Sequence, residues 1–217
     1  KIVKLPVSDF GMPKFEIKIR WILIAILLPC IIKGIYVLIF NGEYVSSNMN
    51  GNEIFNTLSA GVAFTGIAAG FVEEMVFRGV ILNALKKRWN IKVAVIVPSM
   101  LFGIVHVLGQ DFSIGSCLLV IIAGTMVGVM FSMIAIESGS VWNSGIVHAI
   151  WNIVIIGGGL AIGEKMDPYS VMTYVLDSKV FAITGGEFGI ESSVISLIGY
   201  IIVAGIAFIM IKSNRKN

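Results

Sequence analysis

Five ionisable side chains stand inside otherwise apolar stretches of this sequence: Glu73, Glu74, Arg78, His106 and His148. An ionisable group inside a membrane is costly, so such residues are retained mainly where they perform a function. The two histidines are the only ones in the chain, and each lies in a different apolar stretch from the acidic pair. We therefore treat these five residues as candidates for a buried catalytic site.

The spacing of these residues indicates two different tasks. Glu74 and Arg78 are four residues apart with the acid first, the favourable order for an ion pair on one face of a helix. Glu73 points about 100° away from that face and is left to act on another group. His148 and Asn152 are also four residues apart, so an imidazole and an amide project together from one rigid surface. Such a pair of donors suits the stabilisation of an oxyanion.

The elements that position these groups are predicted to be membrane helices. Of the 217 residues, 57% are hydrophobic and 13% are charged, whereas soluble domains carry about 25% charged residues. The mean hydropathy is +0.93. Because backbone groups must be paired in lipid and no barrel-like alternation is present, we expect an all-α polytopic bundle.

A membrane-spanning helix needs about 20 mostly apolar residues. About six stretches qualify, within a single membrane domain that comprises residues 1–217: 21–40, 57–85, 93–108, 116–136, 141–162 and 194–211. The second stretch is longer than a bilayer requires, so we expect it to tilt, to kink near Gly66 or Gly70, or to emerge at one end. Residues 169–183 are predicted to form a loop or an interfacial segment.

The charges of the loops predict the orientation. Basic residues cluster in the N-terminal segment, in the loop after the second span and at the C-terminus: Lys1, Lys4, Lys14, Lys18, Arg20, Lys86, Lys87, Arg88, Lys92, Lys212, Arg215 and Lys216. The intervening loops carry mostly acids, and this alternation predicts that both termini are cytoplasmic. The basic residues form no stripe, and the net charge is only +3, so no nucleic-acid partner is expected.

The depths of the polar groups agree with one another. With a rise of about 1.5 Å per residue, Glu73, His106 and His148 lie roughly 22, 21 and 16 Å from the cytoplasmic surface. One shared polar cavity explains this agreement better than three unrelated burials. Small residues near the motifs, such as Gly70 and Gly103, would let the helices approach closely.

Each residue also has a structural interpretation. A single intramembrane histidine can hydrogen-bond a neighbouring carbonyl, Asn152 could join two helices, and the pair of Glu74 with Arg78 is by itself more often structural than catalytic. Phe77 and Phe102 are expected to pack around the site and support it. The coincidence of two histidines and two glutamates at one depth favours the functional interpretation.

Three motifs carry a resemblance to a known family. Glu73-Glu74-x-x-x-Arg78, Phe102-x-x-x-His106 and His148-x-x-x-Asn152 resemble the motifs of the CAAX-processing and bacteriocin-processing family, also called the Abi family, which includes the type II CAAX prenyl endopeptidases. Residues 138–148 are also similar to that family's approach to its third motif. The resemblance covers the core at about residues 60–155. Each motif is weak alone, whereas all three in order make a specific signal.

The resemblance implies an intramembrane endopeptidase. Glu73 would act with His106 to activate the attacking water, and His148 with Asn152 would stabilise the tetrahedral oxyanion. Burial is compatible with these roles, because a desolvated glutamate suits a base that takes a proton from water near neutral pH.

The same resemblance gives Glu74 and Arg78 the task of holding the site together, and it requires no metal. Two histidines and a glutamate (His106, His148 and Glu73) could nevertheless make a zinc site with one open position. No His-Glu-x-x-His helix is present. We expect catalysis without a metal cofactor, with Zn²⁺ at those three residues as the alternative.

The expected partners are the lipid bilayer and a membrane-associated peptide or protein substrate. Candidate substrates are a bacteriocin or signalling-peptide precursor, a prenylated CAAX tail and a protein near the bilayer. Two other functions remain open: a non-catalytic scaffold or immunity protein of the same fold, and a proton-coupled transporter. The intact motifs argue against the first, and the lack of a repeated half-structure argues against the second. We expect an integral multi-pass protein, in the plasma membrane if the source is prokaryotic.

Overall fold

Six helices of 15 or more residues and three short strands build the fold over residues 6–214, the part of the chain that this computed structural model describes. The helices are α1 (Ile19–Ile39), α2 (Gly51–Arg88), α3 (Ile91–Val105), α4 (Ile114–Ser138), α5 (Val141–Ile156) and α6 (Val194–Asn214). The strands are β1 (Gly42–Ser46), β2 (Leu160–Gly163) and β3 (Met172–Leu176). Four residues used to predict the orientation lie outside the described residues: Lys1, Lys4, Arg215 and Lys216.

The helices confirm a polytopic, nearly all-α membrane protein. Helices α1, α2, α4 and α6 are long and apolar enough to cross a bilayer, whereas α3 and α5 are apolar but shorter. At 15 and 16 residues, these two extend about 22–24 Å, less than the hydrocarbon core of about 30 Å. The chain is therefore an integral multi-pass protein in which two of the six predicted spans are short helices that carry site residues.

The predicted fifth span is wrong at its end. The sequence predicts one helix over residues 141–162, but α5 ends at Ile156 and residues 160–163 form β2. Gly157, Gly158 and Gly159 follow the helix, and Gly158 adopts a φ of 82° that only glycine reaches without strain. The glycines therefore stop the helix, and the apolar residues after them continue as a strand.

The strands form a three-stranded sheet in the order β1-β3-β2 at the end of the bundle where α2 begins. Strand β1 is antiparallel to β3, and β2 is parallel to it. Residues 169–183, predicted as a loop or an interfacial segment, contribute β3 and a short helix, Phe181–Thr184. The basic loop of residues 86–92 lies at the other end of α2.

Helix α2 runs without a break from Gly51 to Arg88, through both Gly66 and Gly70. Its stretches Gly61–Ala69 and Met75–Ile81 are π-helical, and the turn between them, Gly70–Glu74, is α-helical. The extra residue in each π turn rotates the side chains that follow it, and such turns are frequent at functional sites. The acidic pair therefore lies on a short α-helical turn between two widened segments.

Glycines allow the site-bearing helices to pack closely, as predicted. A Cβ atom at Gly70 of α2 would lie 2.8 Å from the backbone nitrogen of Ala149 in α5. A Cβ atom at Gly103 of α3 would lie 2.5 Å from the carbonyl oxygen of Ile121 in α4. Both distances are shorter than van der Waals contact, so only glycine fits at these two crossings.

Helix α1 holds the other helices through polar side chains. The ammonium group of Lys33 donates hydrogen bonds to the carbonyl oxygens of Val154, in the last turn of α5, and Leu160, the first residue of β2. At the other end of α1, Arg20 pairs with Glu137 of α4 at 2.5 Å. Lys33, which has no assigned role in the sequence, satisfies one carbonyl that the end of α5 leaves unpaired and one carbonyl of β2.

Candidate active site

A cavity of ≈ 160 Å³ brings the predicted site residues together. Glu73 of α2, His106 at the end of α3, and His148 and Asn152 of α5 all line it. The predicted convergence of three helices on one polar cavity is therefore present. Phe102 and Phe131 form part of its apolar wall.

Glu74 and Arg78 form the predicted ion pair. Glu74 Oε1 lies 2.6 Å from Arg78 Nη1, and both side chains are fully buried. Arg78 Nη2 also donates to the carbonyl oxygen of Gly128 in α4 at 2.9 Å, and its guanidinium carbon lies 4.7 Å from the centre of the Phe102 ring. A buried charge needs both a counter-ion and further hydrogen bonds, and these contacts join α2 to α3 and α4.

The two predicted supporting phenylalanines pack beside this pair. The rings of Phe77 and Phe102 meet edge to face, with their centroids 5.2 Å apart. Phe102 is buried, and its ring also lies 5.8 Å from that of His148. These contacts agree with the expectation that both residues pack around the site.

Glu74 also binds His148, a contact that the sequence did not predict. Its Oε1 lies 3.2 Å from His148 Nδ1. A carboxylate paired with Arg78 can only accept hydrogen bonds, so Nδ1 carries the hydrogen and Nε2 is directed elsewhere. The Phe131 ring stacks on the imidazole with a centroid distance of 4.5 Å, and these two neighbours fix the orientation of the ring.

Glu73 faces the free nitrogen of that histidine. Its Oε2 lies 3.8 Å from His148 Nε2, and its side chain is partly exposed to the cavity. This separation is too long for a direct hydrogen bond. Among residues 6–214, no hydrogen bond joins Glu73 to His106, although both line the same cavity.

His106 lies just beyond α3 rather than inside a membrane helix as predicted. The helix ends at Val105, and His106 caps it. His106 Nδ1 lies 2.6 Å from the carbonyl oxygen of Phe102. Because a carbonyl only accepts, Nδ1 carries the hydrogen, and in the neutral ring Nε2 is an acceptor.

Asn152 is held by α2. Its Nδ2 donates to the carbonyl oxygen of Thr65 at 2.9 Å, and Thr65 lies in the first π-helical stretch of α2. An amide nitrogen has two hydrogens, so one N–H of Asn152 stays available. Asn152 therefore both joins two helices and presents a donor beside the cavity.

Two further residues of the cavity, Phe188 and Glu191, were missed by the sequence interpretation. Glu191 is half-buried; its Oε1 accepts a hydrogen bond from Trp151 Nε1 at 2.9 Å, and its carbonyl oxygen accepts one from the hydroxyl of Tyr200 at 2.9 Å. Burial raises the pKa of the Glu191 carboxyl, and the Trp151 hydrogen bond opposes that rise. Phe188 contacts His106, with ring centroids 6.1 Å apart.

The carboxylates and imidazoles of the cavity are not grouped as a preformed set of metal ligands. Among residues 6–214, no group of three or more His, Cys, Asp or Glu side chains is placed to hold a metal ion. Glu73, His106 and His148 line one cavity. Nδ1 of each imidazole faces an oxygen of Phe102 or Glu74, as it does in histidines that bind a metal ion through Nε2. Zn²⁺ at these three residues therefore stays the alternative to metal-free catalysis.

Comparison with known proteins supports the family resemblance. Residues 55–154 match the family described as type II CAAX prenyl endopeptidase Rce1-like. No curated protein and no solved structure matches the chain. The matched region contains all three motifs and leaves Glu191 outside it, and the family is one of proteases that act on peptide or protein substrates at the membrane. Residues 55–154 are therefore similar to the Rce1-like family of type II CAAX prenyl endopeptidases, in agreement with the resemblance that the three motifs carry.

Proposed function

We propose that this chain is an intramembrane endopeptidase in which Glu73 activates a water molecule for attack on a peptide bond. The observation that carries the proposal is the position of Glu73: its carboxylate lies 3.8 Å from His148 Nε2, in a cavity that His106 and Asn152 also line. A water molecule beside this pair of atoms is within hydrogen-bond reach of both.

The first step is the addition of water. Glu73 takes one proton from the water as the resulting hydroxide bonds to the carbonyl carbon. His106 Nε2 accepts a hydrogen bond from the second O–H of the water, which keeps its hydrogen, since Nδ1 of this histidine is bound to the Phe102 carbonyl. In this step Glu73 is the base that takes the proton, and His106 orients the attacking water.

The second step is the stabilisation and collapse of the tetrahedral intermediate. The N–H of Asn152 that Thr65 does not use, and Nε2 of a protonated His148, donate to the oxyanion. When the C–N bond breaks, the leaving amine takes the proton that Glu73 had accepted. Glu73 returns to its carboxylate form, and the products are a carboxylic acid and an amine.

A cleavage assay tests this proposal. The full chain in lipid nanodiscs is incubated with an equimolar library of synthetic tetradecapeptides, and mass spectrometry identifies the products. We expect Glu73→Gln and His106→Ala to reduce the rate about 10²–10⁴-fold, the usual contribution of a positioned acid or base. Glu43→Gln, at an exposed position of β1, is the matched control.

Three results would contradict the mechanism. Cleavage by Glu73→Gln at the wild-type rate would exclude this glutamate as the base. Cleavage lost to a chelator and restored by Zn²⁺ would replace metal-free catalysis with the zinc alternative. Proton flux into liposomes without peptide cleavage would favour a transporter.

A further inference from the structure

A second cavity of ≈ 610 Å³, here called the vestibule, adjoins the catalytic cavity at the end of the bundle that carries the sheet. Ile156, Phe188 and Glu191 line both spaces, so the two cavities lie side by side. The vestibule is several times larger than the catalytic cavity. It therefore has room for a peptide segment on one side of the bond that is cut.

Strand β2 presents an unpaired edge to this vestibule. The consecutive residues Ala161, Ile162 and Gly163 all line it. Successive side chains of a strand lie on opposite faces of the sheet. A cavity that contacts three consecutive residues therefore contacts both faces, and it must extend around the edge of the strand. Strand β2 pairs only with β3 within residues 6–214, so its other edge has no strand partner there.

The hydrogen-bond pattern identifies which groups of β2 face that edge. The backbone nitrogen of Met172 in β3 donates to the carbonyl oxygen of Gly159 at 3.1 Å, so alternate residues from Gly159 onward point towards β3. The backbone N–H and C=O groups of Leu160 and Ile162 therefore point away from β3. In agreement with this alternation, the carbonyl oxygen of Leu160 accepts a hydrogen bond from Lys33. Among residues 6–214, no hydrogen bond outside the β2–β3 ladder reaches the backbone of Ile162.

The charge of the vestibule restricts what can occupy it. Its wall contains four acidic residues and one basic residue: Glu164, Asp167, Glu187, Glu191 and Lys165. An acidic peptide segment would be repelled, a basic segment would be attracted, and a neutral segment would be neither repelled nor attracted by these charges. The edge strand, the adjacent catalytic cavity and the charge together favour one occupant, an extended peptide without acidic side chains.

We propose that the peptide substrate binds in the vestibule as an added strand along β2, with its scissile bond in the catalytic cavity. This inference depends on the proposed endopeptidase function. Strand addition recognises a substrate mainly through main-chain hydrogen bonds, and the backbone N–H and C=O of Ile162 supply one donor and one acceptor for it. At about 3.3 Å per residue, the four residues of β2 match three or four substrate residues on one side of the cleaved bond.

The first test changes the backbone of the substrate. A tetradecapeptide that the library assay shows to be cleaved is resynthesised with one N-methylated amide at a time. We expect methylation of the one amide that donates to the Ile162 carbonyl oxygen to raise KM about fivefold, with kcat little changed. Methylation of the neighbouring amides should have a smaller effect. Equal effects at every position, or none, would overturn the proposal.

The second test changes the strand. Ala161 and Val45 lie on either side of Thr173 in the sheet register, but only Ala161 lines the vestibule. We expect Ala161→Phe to raise KM about tenfold or more by filling the vestibule, and Val45→Phe to leave KM unchanged. If both variants behave alike while Glu73→Gln remains inactive, strand addition is excluded and the proposed function stands. If no peptide is cleaved in a way that depends on Glu73, the proposed function itself fails.

Discussion

Glu74 Oε1 lies 3.2 Å from His148 Nδ1 and 2.6 Å from Arg78 Nη1, so one carboxylate oxygen serves both an imidazole and a guanidinium group. The arginine is in turn held by the carbonyl oxygen of Gly128. The ion pair that looks like a structural brace in the sequence therefore also sets the direction of His148.

Removal of the Glu74 charge should affect both folding and catalysis. Glu74→Gln leaves Arg78 as a buried cation without a counter-ion, and breaking such a pair costs about 3–5 kcal/mol. We expect a clear loss of thermal stability, together with a loss of cleavage because His148 is no longer oriented. Thermal unfolding in detergent and the peptide assay measure the two effects.

A double variant separates these two effects. Glu74→Gln combined with Arg78→Met removes both charges, so the penalty for an unpaired ion disappears. We expect stability to recover relative to the single variant while cleavage stays low. Full recovery of cleavage in the double variant would show that Glu74 acts only as a brace.

Replacement of Lys33 should weaken the end of α5. Lys33→Met keeps the apolar length of the side chain but leaves the carbonyl oxygens of Val154 and Leu160 without their donor. A buried acceptor without a partner costs about 1–3 kcal/mol, and we expect the thermal midpoint to fall. Lys87→Met is the control, because its ion pair with Asp9 is exposed and such pairs contribute about 0–1 kcal/mol. Equal changes in both variants would contradict the capping role.

The sequence predicted those features that depend on local spacing. Hydropathy located all the long helices, and the spacing of four residues between Glu74 and Arg78 predicted their ion pair. The glycines at positions 70 and 103 were recognised as sites of close approach because small residues have that effect at any helix crossing. Such properties belong to a single segment, and a single sequence contains them.

Features that join distant segments could not be predicted in this way. The contact of Glu74 with His148 links residues 74 positions apart, and no spacing rule relates them. Glu191 lies in an irregular segment beyond the matched region. Neither the hydropathy nor a motif of that segment identifies it as a site residue. Strand β2 was mistaken for the end of a helix because Leu160, Ala161 and Ile162 prolong an apolar run, although the three preceding glycines were a usable stop signal.

Addition of a methyl group at Gly70 should separate α2 from α5. In Gly70→Ala, the new Cβ would lie 2.8 Å from the Ala149 nitrogen, so the helices must move apart and carry Glu73 away from His148. We expect reduced stability, by about 1–3 kcal/mol, and reduced cleavage. Gly205→Ala in α6 is the matched control, since a Cβ atom added there would meet no atom of a packed neighbour within 4 Å. A Gly70→Ala variant as active and stable as Gly205→Ala would contradict the observed packing.

The half-buried Glu191 should make stability depend on pH. Its pKa is raised above the ordinary value of 4.5, so the folded state holds the proton more tightly than the unfolded state. The stabilisation is fully present below pH 4.5 and is lost as the pH rises through the folded-state pKa. The Gln side chain of Glu191→Gln does not titrate. The thermal midpoint of the wild type minus that of the variant should therefore be largest in acid and should decrease towards neutral pH. Thermal unfolding followed by tryptophan fluorescence from pH 4 to 8 measures this difference, with Glu43→Gln as the exposed control. A difference that does not change with pH would show that Glu191 has the same proton affinity in both states.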